Sequence, residues 1–133
     1  IFRTNATRKS LQQGTDVTFN EFVRYMIYMS KRNSSKYFNE HWTPVYHLCS
    51  PCTIPYDFIG HTETYGEDGN YIIKNLTYGH DNYGKVSFEY HPTQSGSLYK
   101  DYYKTLSNKQ INDLYNIFRH DFELFGYTFS GID

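Results

Sequence analysis

Tyr56-Asp57-Phe58-Ile59-Gly60-His61-Thr62-Glu63 is the stretch on which the fold class turns. Its first residues are a short aromatic and aliphatic run bounded by Pro55 and Gly60, the form of a buried strand. Helical spacing resumes after it: within Asp68 to Leu76, Tyr71, Ile72 and Leu76 share a face, and Gly79 stands where a stop belongs. Strand, loop and helix in that order make a βα unit and predict an α/β fold. The loop Gly60-His61-Thr62-Glu63 then falls beyond the carboxyl end of the strand, where open α/β sheets bind ligands. His61 or Glu63 could abstract a proton there near neutral pH. The plainer alternative has Glu63 capping or pairing and His61 facing solvent, which is the commoner fate of titratable residues outside a recognised motif.

Upstream, residues 1 to 16 are polar and basic, with Arg3, Arg8 and Lys9 before Gln12, Gln13 and Gly14, and they read as a solvated arm or linker. Thr18-Phe19-Asn20-Glu21 has the form of a capping box, in which the Thr18 hydroxyl and the Glu21 carboxylate satisfy backbone donors that a first helical turn leaves free. Phe19, Phe22, Val23, Met26 and Ile27 recur at helical spacing, so a helix should turn one apolar stripe inward and fade near Lys31 to Asn33. From Ser30 to Thr53 no period is evident, and a long irregular segment in a compact domain is usually functional or pinned down. His41-Trp42 lies within it and joins a titratable ring to a broad flat surface suited to a sugar or a base. Against a catalytic His41 stands a Trp42 that merely packs and anchors the loop.

Cys49-Ser50-Pro51-Cys52 could be a redox pair, half of a metal site, or two structural half-cystines. Thioredoxin-like chemistry needs a helix N-terminus after a strand, a setting that this segment lacks. Zinc would need further ligands, for which His41 and His47 are conceivable. In a secreted chain the structural reading prevails, with the pair bonded to each other or to cysteines elsewhere.

Downstream, residues 78 to 98 carry Gly79, Gly84, Pro92 and Gly96 and read as loop, with a short strand at Val86 to Tyr90. Ser107-Asn108-Lys109-Gln110 is a second capping box, ahead of Ile111, Leu114, Tyr115, Phe118, Phe122 and Phe125. Gly126 sits where that helix should stop.

The 133 residues hold 13 basic and 14 acidic side chains in no long blocks, so composition gives no ground for a nucleic-acid or membrane-surface binder, and an anion site must be local. With 15 Tyr and 10 Phe, the chain has enough large rings to exclude disorder. The signatures of phosphate-binding loops, dinucleotide folds, zinc proteases and serine hydrolases are all missing. N-glycosylation triplets at Asn5, Asn33 and Asn75 hint at secretory passage, although chance would supply nearly as many. The chain opens at Ile1 without a leader or an apolar span, so a fragment is expected.

In order along the chain, Thr18-Phe19-Asn20-Glu21-Phe22-Val23-Arg24-Tyr25, His41-Trp42-Thr43-Pro44 and Leu48-Cys49-Ser50-Pro51-Cys52 resemble the Golgi carbohydrate sulfotransferases that modify chondroitin, dermatan and related glycans. Tyr56 to Thr64, with Asp68 and Tyr71-Ile72-Ile73, looks like that family's strand-and-helix block, and Asp121-Phe122-Glu123-Leu124-Phe125-Gly126-Tyr127 is similar to its closing motif. The likeness covers residues 17 to 128, leaving 1 to 16 as the arm and 129 to 133 as a tail.

The resemblance implies the C-terminal portion of a P-loop-like sulfotransferase fold, a parallel sheet flanked by helices. It implies a type II membrane anchor upstream and a catalytic domain in the Golgi lumen. The partners would be a glycan acceptor and the sulfuryl donor 3′-phosphoadenosine 5′-phosphosulfate, with no permanently bound cofactor and no metal. Family members hold that donor through a basic P-loop-like segment and an Arg and Ser pair, neither of which occurs here. No donor-binding residue can therefore be assigned, and the fragment alone is expected to be inactive. His41, His61 and Glu63 remain the candidates for proton abstraction. A non-catalytic glycan-binding module is the alternative, suggested by the many Tyr residues, by Trp42 and by the missing phosphate cradle.

Overall fold

The computed structural model describes residues 2–3, 6–32, 38–76 and 95–129. They form two compact units, the first from Ile1–Pro55 with Ser95–Asp133 and the second from Tyr56–Gln94.

In the first unit, α1 (Arg8–Gln13), α2 (Phe19–Lys31), α3 (Val45–Cys49), α5 (Ser95–Tyr103) and α6 (Asn108–Leu124) gather about one packing, that of α2 against α6. Both long helices begin as their sequences require. The Thr18 hydroxyl accepts from the Glu21 amide at 3.3 Å, and the Glu21 carboxylate accepts from the Thr18 amide at 3.0 Å. Ser107 and Gln110 repeat the exchange at 3.3 and 2.9 Å. Each box satisfies donors that would otherwise face the first turn unpaired. The apolar stripes then meet: Val23 (0% exposed) and Met26 from α2 bury against Ile111 and Leu114 from α6, with Leu106 and Phe38 completing the core. Polar contacts flank that seam. Asn20 Nδ2 donates to the Thr105 carbonyl at 2.7 Å, and Lys31 Nζ to Asp113 at 3.0 Å.

Residues 6 to 16 are more ordered than a solvated arm. Thr7 caps α1 by accepting from the Ser10 amide at 3.1 Å, and Gly14 closes it in the left-handed conformation at φ 66°. The Arg3 guanidinium donates to Ser10 Oγ at 2.7 Å and to the Asp16 carbonyl at 3.0 Å, while Ser10 Oγ donates to the Thr15 carbonyl at 2.7 Å. Arg3 Nε lies 3.8 Å from Glu21, an ion pair by proximity without a hydrogen bond. Composition registered the charge here, whereas the fold uses the guanidinium as a clamp.

The second unit corrects the strand expected at Tyr56 to Gly60. Those residues are irregular, and Tyr56, Phe58 (37% exposed) and Ile59 (45% exposed) face outward. Among the described residues there is no strand, so no sheet is found there. An apolar run becomes a strand only when a neighbouring edge takes up its backbone groups. Here the run is instead held by the helix after it: Phe58 stacks on Tyr71, with centroids 5.3 Å apart and planes 26° apart. That helix, α4 (Tyr65–Leu76), begins three residues before Asp68, after a 3₁₀ turn at Thr62–Thr64. The loop expected over residues 78 to 98 ends in α5, whose Ser95 start falls within it. The strand expected at Val86 to Tyr90 lies outside the described residues.

Replacing Met26 with Ala should cost about 3 kcal/mol, because a side chain 2% exposed leaves a cavity in the α2–α6 seam. Urea unfolding of the pair checks this, and a loss below about 1 kcal/mol would mean that the seam collapses around the gap.

Candidate functional site

The three candidate bases fall in different units. His41 belongs to the first, in a tight turn built on Asn39. The Asn39 side-chain oxygen accepts from the His41 amide at 3.0 Å, and its carbonyl accepts from the amides of Trp42 and Thr43, each at 3.0 Å. An Asn side chain that bonds the backbone two residues on fixes such a turn without help. His41 is exposed, while Trp42 turns inward and meets Phe22 edge to face at 5.3 Å. The indole therefore serves as an anchor, as the packing alternative held. Its Nε1 is buried without an acceptor among the described residues.

The short helix α3 follows Pro44. Its first two amides donate to one carboxylate from α6: Val45 to Asp121 Oδ2 at 2.8 Å and Tyr46 to Asp121 Oδ1 at 2.9 Å. A carboxylate with one oxygen on each of two orphan amides substitutes for the missing N-cap side chain and favours the positive end of the helix. Partial burial pushes the Tyr46 hydroxyl above its ordinary value, and the Asp121 charge adds to that. Asp121 stood in the closing motif, but its role could not be read there, because its partners lie 75 and 76 residues upstream.

Cys49 ends α3 and Cys52 lies in the turn after it, both as exposed thiols. Among the described residues no three His, Cys, Asp or Glu side chains cluster as a metal would need.

His61 and Glu63 belong to the second unit, and Asp68 organises their loop. Asp68 Oδ2 accepts from the His61 amide at 2.9 Å and from the Thr64 hydroxyl at 2.5 Å. Gly60 packs closely beside it: a Cβ there would lie 3.2 Å from both Asp68 Oδ2 and the Phe58 ring, so either side chain would have to give slightly. The Thr64 hydroxyl, and after it the His61 amide, hold the Asp68 carboxyl below its ordinary 3.8. Glu63 is exposed and accepts from the Thr62 hydroxyl at 3.2 Å. Of the three glycosylation candidates, Asn75 is exposed near the end of α4, with its amide donating to the Tyr71 carbonyl at 2.7 Å. Asn5 and Asn33 lie outside the described residues.

Sequence comparison places the molecule in its class. Residues 1–128 match the sulfotransferase family, and the chain belongs to it. The match extends into the first 16 residues, where no motif resemblance was found. The chain is 35% identical over 127 residues to carbohydrate sulfotransferase 11 of Danio rerio, covering 96% of this chain and 36% of that protein. It is 37% identical over 119 residues to carbohydrate sulfotransferase 12 of Xenopus laevis, covering 90% and 28%. To carbohydrate sulfotransferase 8 of Mus musculus it is 30% identical over 133 residues, covering 96% and 30%. It thus spans about a third of the length of these curated relatives. No solved structure matches it significantly.

Two measurements test this geometry. Asp121→Ala should destabilise by about 1–2 kcal/mol and expose the Val45 and Tyr46 amides to hydrogen exchange, with Asp121→Asn falling between. Unchanged protection at both amides would show that Asp121 is not the cap. For Asp68 the folded value is the depressed one, so its contribution is complete above the ordinary carboxylate range and fades as pH falls through the lowered value. An NMR titration should put the Asp68 midpoint below 3.8 and Thr64→Val should raise it; an equal midpoint in the variant would rule out the hydroxyl as the main cause.

Proposed function

We propose that this chain is the C-terminal part of the catalytic domain of a carbohydrate sulfotransferase, which moves a sulfuryl group from 3′-phosphoadenosine 5′-phosphosulfate to a hydroxyl of a glycan. The observation that carries the reading is family membership over residues 1–128, together with curated relatives that are all carbohydrate sulfotransferases. In the reaction a base removes the proton of the acceptor hydroxyl, whose oxygen attacks sulfur in line. The bond from sulfur to the 5′-phosphate oxygen breaks, and fixed positive charge stabilises the departing phosphate.

The donor-gripping motifs and the parallel sheet of the P-loop-like fold belong, on this reading, to sequence upstream of these residues. Supporting it, more large apolar side chains are exposed than buried among the described residues, including Leu48, Ile54, Leu98 and Tyr99. His41, His61 and Glu63 are the proposed candidates for the base. The same reading puts the domain in the Golgi lumen behind a type II anchor; no helix among the described residues is long and apolar enough to cross a membrane. Lumenal chemistry would then permit a Cys49–Cys52 disulfide and glycans on Asn5, Asn33 and Asn75.

The intact protein should transfer labelled sulfate from the nucleotide donor to a glycosaminoglycan, and a folded protein that sulfates nothing in a glycan panel would end the proposal. Residues 1–133 alone should bind donor weakly by calorimetry. Of His41→Ala, His61→Ala and Glu63→Gln, the one that removes the base should lower kcat about 10²–10⁴-fold. A loss under about tenfold in all three would send the search for the base elsewhere.

A further inference from the structure

Among the described residues six tyrosines are exposed: Tyr56, Tyr65, Tyr71, Tyr99, Tyr102 and Tyr127. Charge separates one of them from the rest. Within five residues of Tyr65 stand Glu63, Glu67 and Asp68, and no lysine or arginine. The same window holds Lys74 for Tyr71, and Lys100 with Lys104 for both Tyr99 and Tyr102. Tyr56 and Tyr127 each have one carboxylate there, Asp57 and Glu123.

We infer that Tyr65 is a modification site, sulfated on its phenol oxygen by a separate, tyrosine-directed sulfotransferase of the secretory lumen. The inference goes beyond the proposed function and rests on it for the lumenal placement alone. In the step, the Tyr65 oxygen attacks the sulfur of a nucleotide phosphosulfate and its proton passes to a base of the modifying enzyme. The bond from sulfur to the 5′-phosphate oxygen breaks, leaving a sulfate ester on Tyr65 and free adenosine 3′,5′-bisphosphate.

Access argues for this residue first. The ring is 45% exposed, and Glu63 and Glu67 on either side of it are exposed as well. Burying two carboxylates is costly, so a face that carries both is unsuited to packing beneath an apolar layer. Local structure comes second. Tyr65 opens α4 directly after the 3₁₀ turn Thr62–Thr64, and the end turns of a helix are the first to fray. A Cβ on Gly66 would meet nothing within 4 Å, so there is open space beside the reacting residue. The segment can therefore enter a groove without disturbing the core of the first unit. Charge selects the partner. An enzyme that grips a nucleotide with phosphates at two positions gathers cations about its active centre, and such a groove attracts a phenol flanked by carboxylates. A neighbouring lysine, as beside Tyr71, Tyr99 and Tyr102, weakens that attraction.

Mass spectrometry of the intact protein, expressed through a secretory pathway, tests the assignment. The peptide carrying Tyr65 should bear one SO3 group that a phosphatase leaves in place. Chlorate, which blocks synthesis of the nucleotide donor, should remove it, and Tyr65→Phe should lack it. Gly66→Lys sets an ammonium beside the phenol at a position with room for a side chain and no positive φ, so the fold should persist. It should lower occupancy about tenfold, and Glu67→Gln about threefold. The inference falls if Tyr65 is bare, if the phosphatase clears the group, if Gly66→Lys keeps full occupancy, or if Tyr71 or Tyr102 carries the sulfate instead. Glycans on the same preparation separate the two readings. A bare Tyr65 on glycosylated protein ends this inference alone, whereas a bare Tyr65 on protein without glycans ends the lumenal placement with it. Sulfated Tyr65 on a folded protein that transfers nothing to a glycan panel ends the proposed reaction and leaves the modification site standing.

Discussion

The burial of Val23 and Met26 against Ile111 and Leu114 is the interaction on which the first unit depends. None of its helices is long enough to be stable alone, since isolated helices shorter than about 12–15 residues are marginal in water and slightly longer ones gain little. Each therefore needs a partner. α2 and α6 provide one for each other, and the partly buried ring of Trp42 joins the same apolar mass through Phe22. The Asn39 turn, with His41 at its surface, is thus carried on the helical core by Phe38 before it and the Trp42 indole after it.

Helices α2 and α6 were legible because their information is local. A capping box lies within four residues and an apolar stripe within two or three turns, and no distant group is needed to decode either. α3 has neither device. Pro44 at its start can offer no side-chain cap, and the carboxylate that performs the task comes from the far end of the chain. α5 was hidden by Gly96 and the serines around it, which read as loop residues, and of its rings Tyr103 is the one that reaches the core.

The strand at Tyr56 to Gly60 failed for a different reason. Period and flanking Pro and Gly describe what a segment can do, whereas a ladder also needs a second edge at the right distance. With no such edge among the described residues, the stacking of Phe58 on Tyr71 and the grip of Asp68 on His61 and Thr64 hold the segment instead. His61 stands in a loop ahead of a helix as expected, whereas Glu63 falls in the 3₁₀ turn that leads into α4, and the strand on which both placements were based is not observed. The cleft of about 390 Å³ between α2, α3 and α6 was illegible altogether. Lys31, Tyr46, His47, Asp113 and Asn116 come from three elements, and their pairing exists only once α2 and α6 have met.

The route from core to cleft runs through one carboxylate. α6 is fixed by its apolar face, and from its last turns Asp121 receives the first two amides of α3. That grip sets where α3 begins, and so where Tyr46 and His47 stand relative to Asp113 and Asn116, which precede Asp121 on the same α6. A five-residue helix has too few internal hydrogen bonds to hold this position by itself. Tyr46 and His47 are therefore positioned by a carboxylate of α6.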